Sequence, residues 1–441
     1  MKFYVHRLGC PKNDVDADYL TARLQADGHT PVESPESAEA IIVNTCGFIL
    51  PAKEESIEEI LRLARLKRTG RVKLLYASGC LSQRYGTEML AEMPELDGAF
   101  GVGALEELAG AMASSGRLDE PQRVAAERMA YIDYDSRYVD DRLPYAYLKI
   151  SDGCNRTCAF CAIPSIRGAY RSRSVEVIVE EARMLAERGK KELILVSQES
   201  SLYGRDLGRG ETLLTLLRRL DQIDGLEWIR VMYLYPSQLD DALIDYMLRT
   251  DNKTLDYFDI PLQHISDTML TAMERHMSRQ GIEAVLDTIR RRSDRATIRS
   301  AFIVGFPGET EELFEELLEF VVSFGFDRMG VFSYSHEDGT PAFGLEDSIS
   351  EVVKAERLDR LMTEQQGIAL ARNNALLGTT VEVIIDAVTE GGRSVGRTRA
   401  DCPEIDQEVF VNSDQLAVGT VCRVLIEGVD GYDLIGREVR D

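Results

Sequence analysis

The chain has 441 residues, enough for about three domains at roughly 150 residues each, and its 44% hydrophobic and 29% charged content is that of an ordinary folded protein. A net charge of −24 argues against broad electrostatic attachment to nucleic acid, which needs clustered Lys and Arg, and no run of about 18 apolar residues offers a membrane span. The N-terminus MKFYVHRLGC lacks the apolar core and cleavage site of a secretion signal, so a cytoplasmic, reducing location is expected, where the eight cysteines read as metal-binding or catalytic rather than as disulfides.

Three apolar, β-rich runs open the chain: FYV (3–5), AIIVN (40–44) and VKLLYA (72–77), with charged, helix-like stretches near 14–27 and 52–68 between them. Strand and helix in alternation predict a parallel sheet with right-handed crossovers, a three-layer α/β domain over 1–117. The polar stretch SSGRLDEPQRVAAER (114–128) predicts a linker over 118–139. Six strand candidates follow: YAYLKI (145–150), ELILVS (192–197), EWIRVMY (227–233), LDYFDI (255–260), TIRSAFIV (297–304) and RMGVFS (328–333). With helical patterns between them they predict a partial (β/α)6 barrel over 140–370. Residues 351–376 read as one long amphipathic helix. Beyond it, over 371–441, alternating apolar and polar residues with Gly and Asp turns predict a small antiparallel β-barrel.

Cys154, Cys158 and Cys161 stand in a CxxxCxxC loop that follows the first barrel strand directly. In α/β folds the C-terminal strand ends carry the chemistry. A structural zinc site would need four protein ligands, and no fourth cysteine follows within two hundred residues. Three thiolates on an iron–sulfur cluster leave one iron open; zinc with an open position is the alternative. Cys10, Cys46 and Cys80 end the three N-terminal strands, in FYVHRLGC, IIVNTC and LLYASGC. In a parallel sheet those ends share one edge, so three scattered cysteines are expected to converge as a second open cluster site. Cys402 and Cys422 show no such placement and read as structural.

The CxxxCxxC spacing with Phe160 before its last cysteine resembles the radical S-adenosylmethionine (SAM) superfamily. GCPKN (9–13), VNTCGFI (43–49), SGCLSQRY (78–85), GVG (101–103), IPSIRG (163–168), PLQHISD (261–267) and GFPGET (305–310) extend the likeness to the methylthiotransferase family, over nearly the whole chain, with a C-terminal TRAM domain. The resemblance implies two 4Fe–4S clusters: one on Cys154, Cys158 and Cys161 that binds SAM, and an auxiliary one on Cys10, Cys46 and Cys80. It implies that SAM is both radical source and methyl donor, with a low-potential electron donor, and that Phe160, Gly305 and Glu309 lie near SAM. VSQESSLYG (196–204) is a further segment that could face the cofactor.

Two branches of that family compete. GCPKN, IPSIRG and SQESSLYG look more like the RimO-type branch, which modifies an aspartate β-carbon in small-subunit ribosomal protein number twelve; the other branch modifies a tRNA adenosine. Residues 372–441 carry seven basic and thirteen acidic side chains, a net of −6. This suits a basic ribosomal protein better than RNA. Arg167, Arg171 and Arg173 form a local basic cluster, expected as a small contact for ribosomal RNA. A non-enzymatic iron–sulfur scaffold or RNA-binding assembly factor is the third reading, which the incomplete ligand sets oppose.

Overall fold

The computed structural model describes residues 1–114, 122–124 (as backbone), 136–208, 210–389, 392–413 and 416–440. The chain divides into two compact units, and the division does not follow the sequence. One unit holds Met1–Val139, Ser151–Arg173 and Ser335–Gly344; the other holds Asp140–Ile150, Ser174–Tyr334 and Leu345–Asp441. The CxxxCxxC loop is therefore built into the same unit as the N-terminal sheet.

That sheet is six-stranded and parallel, in the order β2-β1-β3-β4-β5-β6. Its strands are β1 (Lys2–Arg7), β2 (Thr30–Pro31), β3 (Ala40–Thr45), β4 (Leu74–Gly79), β5 (Gly98–Phe100) and β6 (Gln122–Val124). The helices between them are α1 (Pro11–Ala26), α2 (Leu50–Arg68), α3 (Cys80–Glu92) and α4 (Leu105–Ala113). β3 and β4 are buried at every position, as central parallel strands covered on both faces must be. Ile41, Val43, Leu75 and Ala77 pack with Ile60 and Leu63 of α2 and with Leu81 and Met89 of α3. Within the stretch expected to be a linker, Gln122–Val124 pairs with β5. The rest of 115–135 lies outside the described residues.

The second unit contributes β7 (Tyr145–Lys149), from which the chain passes through β8 (Ser151–Asp152), the cysteine loop, α5 (Ile163–Arg167) and β9 (Arg171–Ser172), all in the first unit. It then runs through α6 (Val175–Glu187), β10 (Glu192–Val196), α7 (Leu213–Leu220), β11 (Trp228–Val231), α8 (Asp241–Met247) and β12 (Tyr257–Asp259). α9 (Asp267–Ala272), α10 (Arg279–Arg292), β13 (Thr297–Val304), α11 (Glu311–Phe324) and β14 (Arg328–Ser333) complete this section. β7, β10 and β11 form one parallel sheet and β12, β13 and β14 another. A parallel bridge, Ile229 to Thr254, joins them. All six strands expected from the apolar runs are present, in sequence order.

After α12 (Glu351–Ala375) come β15 (Thr380–Val388), β16 (Ser394–Thr398), β17 (Val409–Asn412), β18 (Val421–Asp430) and β19 (Asp433–Glu438). They close a barrel in the order β15-β16-β17-β19-β18. The barrel is mixed rather than purely antiparallel, because β17 and β19 run parallel. Five strands in a closed ring cannot alternate direction all the way round, so at least one neighbouring pair must be parallel.

This barrel is pinned to the opening residues of the parallel strands. Arg397 bridges Glu192 at 2.7 Å and Asp386 at 2.6 Å, and Glu192 also takes Arg230 at 2.7 Å. Asp401 accepts from Arg328 at 2.9 Å, Asp406 from Tyr257 at 2.6 Å, and Glu382 from the Trp228 indole at 3.1 Å. Several acids counted as a surface excess in the sequence therefore face core arginines, which weakens the charge argument for a basic substrate. We expect Arg397→Met to destabilise this unit by about 3–5 kcal/mol, since Asp386 loses its partner and Glu192 one of two. The urea midpoint of the purified variant measures this.

Candidate radical and cluster site

The N-terminal cysteines meet because neighbouring strands end in register. Thr45 pairs with Gly79, and Asn44 with both Arg7 and Ser78, so Cys46 and Cys80 come off the sheet side by side and Cys10 follows just beyond β1. Cys10 caps α1 and Cys80 opens α3, so both stand at the positive end of a helix dipole. Close packing brings the loops together. Gly9, at φ +96°, has no room for a side chain, because a Cβ there would lie 2.8 Å from Cys46 Cβ; at Gly47 one would lie 2.7 Å from the Leu81 backbone.

The motif residues around the cysteines tie these loops to one another. Asn13 Nδ2 donates to the carbonyls of Leu8 (3.1 Å) and Thr45 (3.0 Å), and Asn44 Nδ2 to that of Asn13 (2.7 Å). Ser56 Oγ accepts the Cys46 N–H at 3.0 Å. Burial, reinforced by the neighbouring Cys80 and Cys10, pushes the Cys46 thiol up to about 12. Burial also raises Cys80, against the opposing pull of Arg167. All eight cysteines are thiols rather than disulfides. Cys402 is buried in the C-terminal barrel, where its N–H donates to Asp406 at 2.9 Å, and Cys422 is partly buried there.

In the CxxxCxxC loop, Cys154 N–H donates to the Gly168 carbonyl at 3.1 Å and Cys161 N–H to that of Cys158 at 3.0 Å. Arg156 N–H points at Cys154 Sγ, 3.4 Å away. Cys158 is buried, while Cys154, Cys161 and Phe160 are half-buried. Among the described residues no three His, Cys, Asp or Glu side chains converge as a single-ion site. The donor set nevertheless suits iron–sulfur chemistry. It consists of thiols, two of them at helix N-termini and one accepting an N–H···S bond, and each triad has at least one ligand within reach of solvent.

The two triads are joined inside this unit. Cys80 packs with Val102, Ala162 and Ile166, so the GVG turn and the residue after Cys161 touch the auxiliary side. Val102 N–H donates to Gln83 Oε1 at 2.9 Å. The segment 335–344 straps both sides. Arg84 donates to the Gly47 carbonyl (2.6 Å), Glu337 (2.8 Å) and Asp338 (2.7 Å), and Ala342 N–H donates to the Ala159 carbonyl (2.8 Å).

Arg167 and Arg173, expected at the surface as part of an RNA contact, are both buried, and only Arg171 is exposed. Arg167 instead pairs with Asp152 (3.1 Å) and Asp16 (3.0 Å), donates to Asn13 Oδ1 (2.7 Å) and approaches Cys80 Sγ (3.7 Å). One of the acids that draw it inward, Asp16, lies far away in sequence, so the run RGAYRSRS read as a basic patch.

Gly305 and Glu309 belong to the other unit. Gly305, at φ +75°, lies against the Lys354 side chain with no space for a Cβ. The buried Glu309 carboxylate accepts the Gly305 N–H at 2.6 Å and Arg357 at 2.6 Å, and meets His264 Nε2 at 3.3 Å. Ser266 N–H donates to His264 Nδ1 at 3.0 Å, which leaves Nε2 to carry the proton toward Glu309. The motifs PLQHISD and GFPGET are thus one hydrogen-bonded unit. In VSQESSLYG, both ends of the Gln198 amide are buried with no hydrogen-bond partner among the described residues.

Comparison with known proteins agrees with this geometry. Residues 148–321 match the Radical SAM superfamily, residues 2–101 the uncharacterized protein family UPF0004, and residues 377–439 the TRAM domain. The six-stranded core and its cysteine loop define a radical SAM enzyme. Among solved structures, a radical SAM methyltransferase from Kitasatospora setae, TsrM, shares the fold with a TM-score of 0.57 at 16% identity, over 77% of this chain and 76% of its own. A ribosomal protein uS12 methylthiotransferase RimO of Syntrophomonas wolfei is 43% identical over 97% of this chain and 98% of its own length. Proteins of the same name from Heliobacterium modesticaldum and Thermosipho africanus are each 42% identical, over 100% of this chain and 95% and 100% of theirs. The chain belongs to this family, the RimO-type radical SAM methylthiotransferases.

No described helix is long and apolar enough to cross a membrane.

Proposed function

We infer that the chain attaches a methylthio group to ribosomal protein uS12, at the β-carbon of an aspartate. The observation that carries this reading is the likeness, at 42–43% identity over essentially the full length, to relatives named for that activity. When bound, a 4Fe–4S cluster with SAM on its open iron supplies a 5′-deoxyadenosyl radical, and a second cluster supplies the site for sulfur. Cys154, Cys158 and Cys161 would hold the first and Cys10, Cys46 and Cys80 the second, with a low-potential electron donor from outside the chain.

The chain's own residues have three tasks. The helix N-termini at Cys10 and Cys80 place the positive end of a helix dipole beside the two sulfurs. The Gly9 and Gly47 packing holds the auxiliary loops to one another, and the 335–344 strap, bound by Arg84, ties them to the radical loop. Glu309 acts on the cofactor through the turn: its carboxylate fixes the Gly305 N–H and so shapes the backbone that would lie against SAM.

The discriminating experiment supplies both substrates. Anaerobically reconstituted enzyme with SAM and dithionite is offered purified uS12 and undermodified tRNA, and both are weighed by mass spectrometry. We expect a methylthio gain on the uS12 aspartate alone. A gain on the tRNA alone would overturn the assignment. Absence of 5′-deoxyadenosine despite two intact clusters would favour a non-enzymatic scaffold.

A further inference from the structure

Arg167 is a fully buried cation of the first unit, and the methylthiolation chemistry leaves it without a task. It sits at the end of α5, six residues after the last cysteine of the radical loop. Its side chain reaches the opposite triad: Nη2 lies 2.7 Å from Asn13 Oδ1, 3.0 Å from Asp16 and 3.7 Å from Cys80 Sγ. Nη1 is anchored to Asp152, at the entrance to the radical loop, at 3.1 Å. The Cys80 thiol in turn donates to Asn13 Oδ1 at 3.6 Å. A fully buried guanidinium thus touches one cysteine of the auxiliary set, the asparagine of GCPKN and the strand that leads into CxxxCxxC.

We propose that Arg167 is a positioning residue for the auxiliary cluster, holding the Cys80 sulfur and raising the cluster's reduction potential through its charge and N–H···S contact. The proposal rests on the reading that Cys10, Cys46 and Cys80 hold a second cluster. Reduction adds negative charge to an iron–sulfur cluster, and hydrogen bonds to its sulfurs are a principal control of potential. A neighbouring buried cation stabilises the reduced form most. The two acids on Arg167 fix the guanidinium in place, so the fork geometry matters as well as the charge. Because Asp152 and α5 flank the radical loop, the same side chain also fixes one cysteine set against the other.

The test uses the full chain with Cys154, Cys158 and Cys161 all replaced by Ala, so that only an auxiliary cluster can load. Arg167→Met and Arg167→Lys are compared in that background after anaerobic reconstitution, by iron and sulfide content and by an EPR-monitored redox titration. The expected result is a loaded cluster whose midpoint moves to more negative potential with Met and by a smaller amount with Lys. If the Met variant fails to fold or load, the Lys variant, which keeps a cation beside Asp16 and Asp152, still reads the loss of the fork. Parental loading with an unchanged midpoint in the variants that load would overturn the proposal. Failure of the triple-Ala parent itself to load would overturn the second-cluster reading instead, so the two failures are distinguishable.

Discussion

Replacing Cys158 by Ala is expected to abolish 5′-deoxyadenosine formation. Cys158 is the most buried of the radical-loop cysteines, and its carbonyl accepts the Cys161 N–H, which turns the loop back on itself. On the proposed assignment, loss of the thiolate leaves two ligands for a cluster that would have only three, and no other cysteine of the radical loop can substitute. The whole of SAM cleavage depends on this cluster, so product should fall to background rather than by a modest factor. Product release measured by chromatography under dithionite checks this. Cleavage at a sizeable fraction of the parental rate would contradict it. Because the Cys158–Cys161 hydrogen bond is made by backbone, the variant should still fold.

Cys46→Ala is expected to separate the two reactions. The residue lies in the same compact unit as the radical loop, yet its contacts are with the β3 end, Ser56 and Gly9. Radical generation should persist at a measurable rate while methylthio transfer to uS12 falls to background. A variant that still transfers sulfur would show that the N-terminal triad has another role. Such a result would leave the radical-loop assignment intact, since the two cysteine sets are read by different products.

Much of this was legible because parallel strands place their ends on one edge. Cys10, Cys46 and Cys80 could be grouped from strand position alone, because β1, β3 and β4 end side by side on one edge of the sheet. The six core strands were equally plain as apolar runs. Long-range polar pairing was not legible. Arg167 and Arg173 look like surface charge when read locally, yet Arg167 is drawn inside by Asp16 and Asp152. Acids of the C-terminal barrel look like a solvent-facing excess, yet Asp386, Asp401 and Asp406 meet arginines. The placement of the CxxxCxxC loop with the N-terminal sheet was hidden for the same reason: its ties, through Arg167, Val102 and the 335–344 strap, join residues far apart in the chain. The parallel β17–β19 pair follows from strand parity, which alternation along a single strand does not reveal.

One compact unit is proposed to present two separate three-cysteine cluster sites. Iron and sulfide content after anaerobic reconstitution tests it most directly, on the parent chain, on the chain with Cys10, Cys46 and Cys80 replaced by Ala, and on the chain with Cys154, Cys158 and Cys161 replaced by Ala. The expected content is about eight of each for the parent and about four for either variant, one cubane per triad. A variant lacking Cys10, Cys46 and Cys80 that retained the parental content would contradict it.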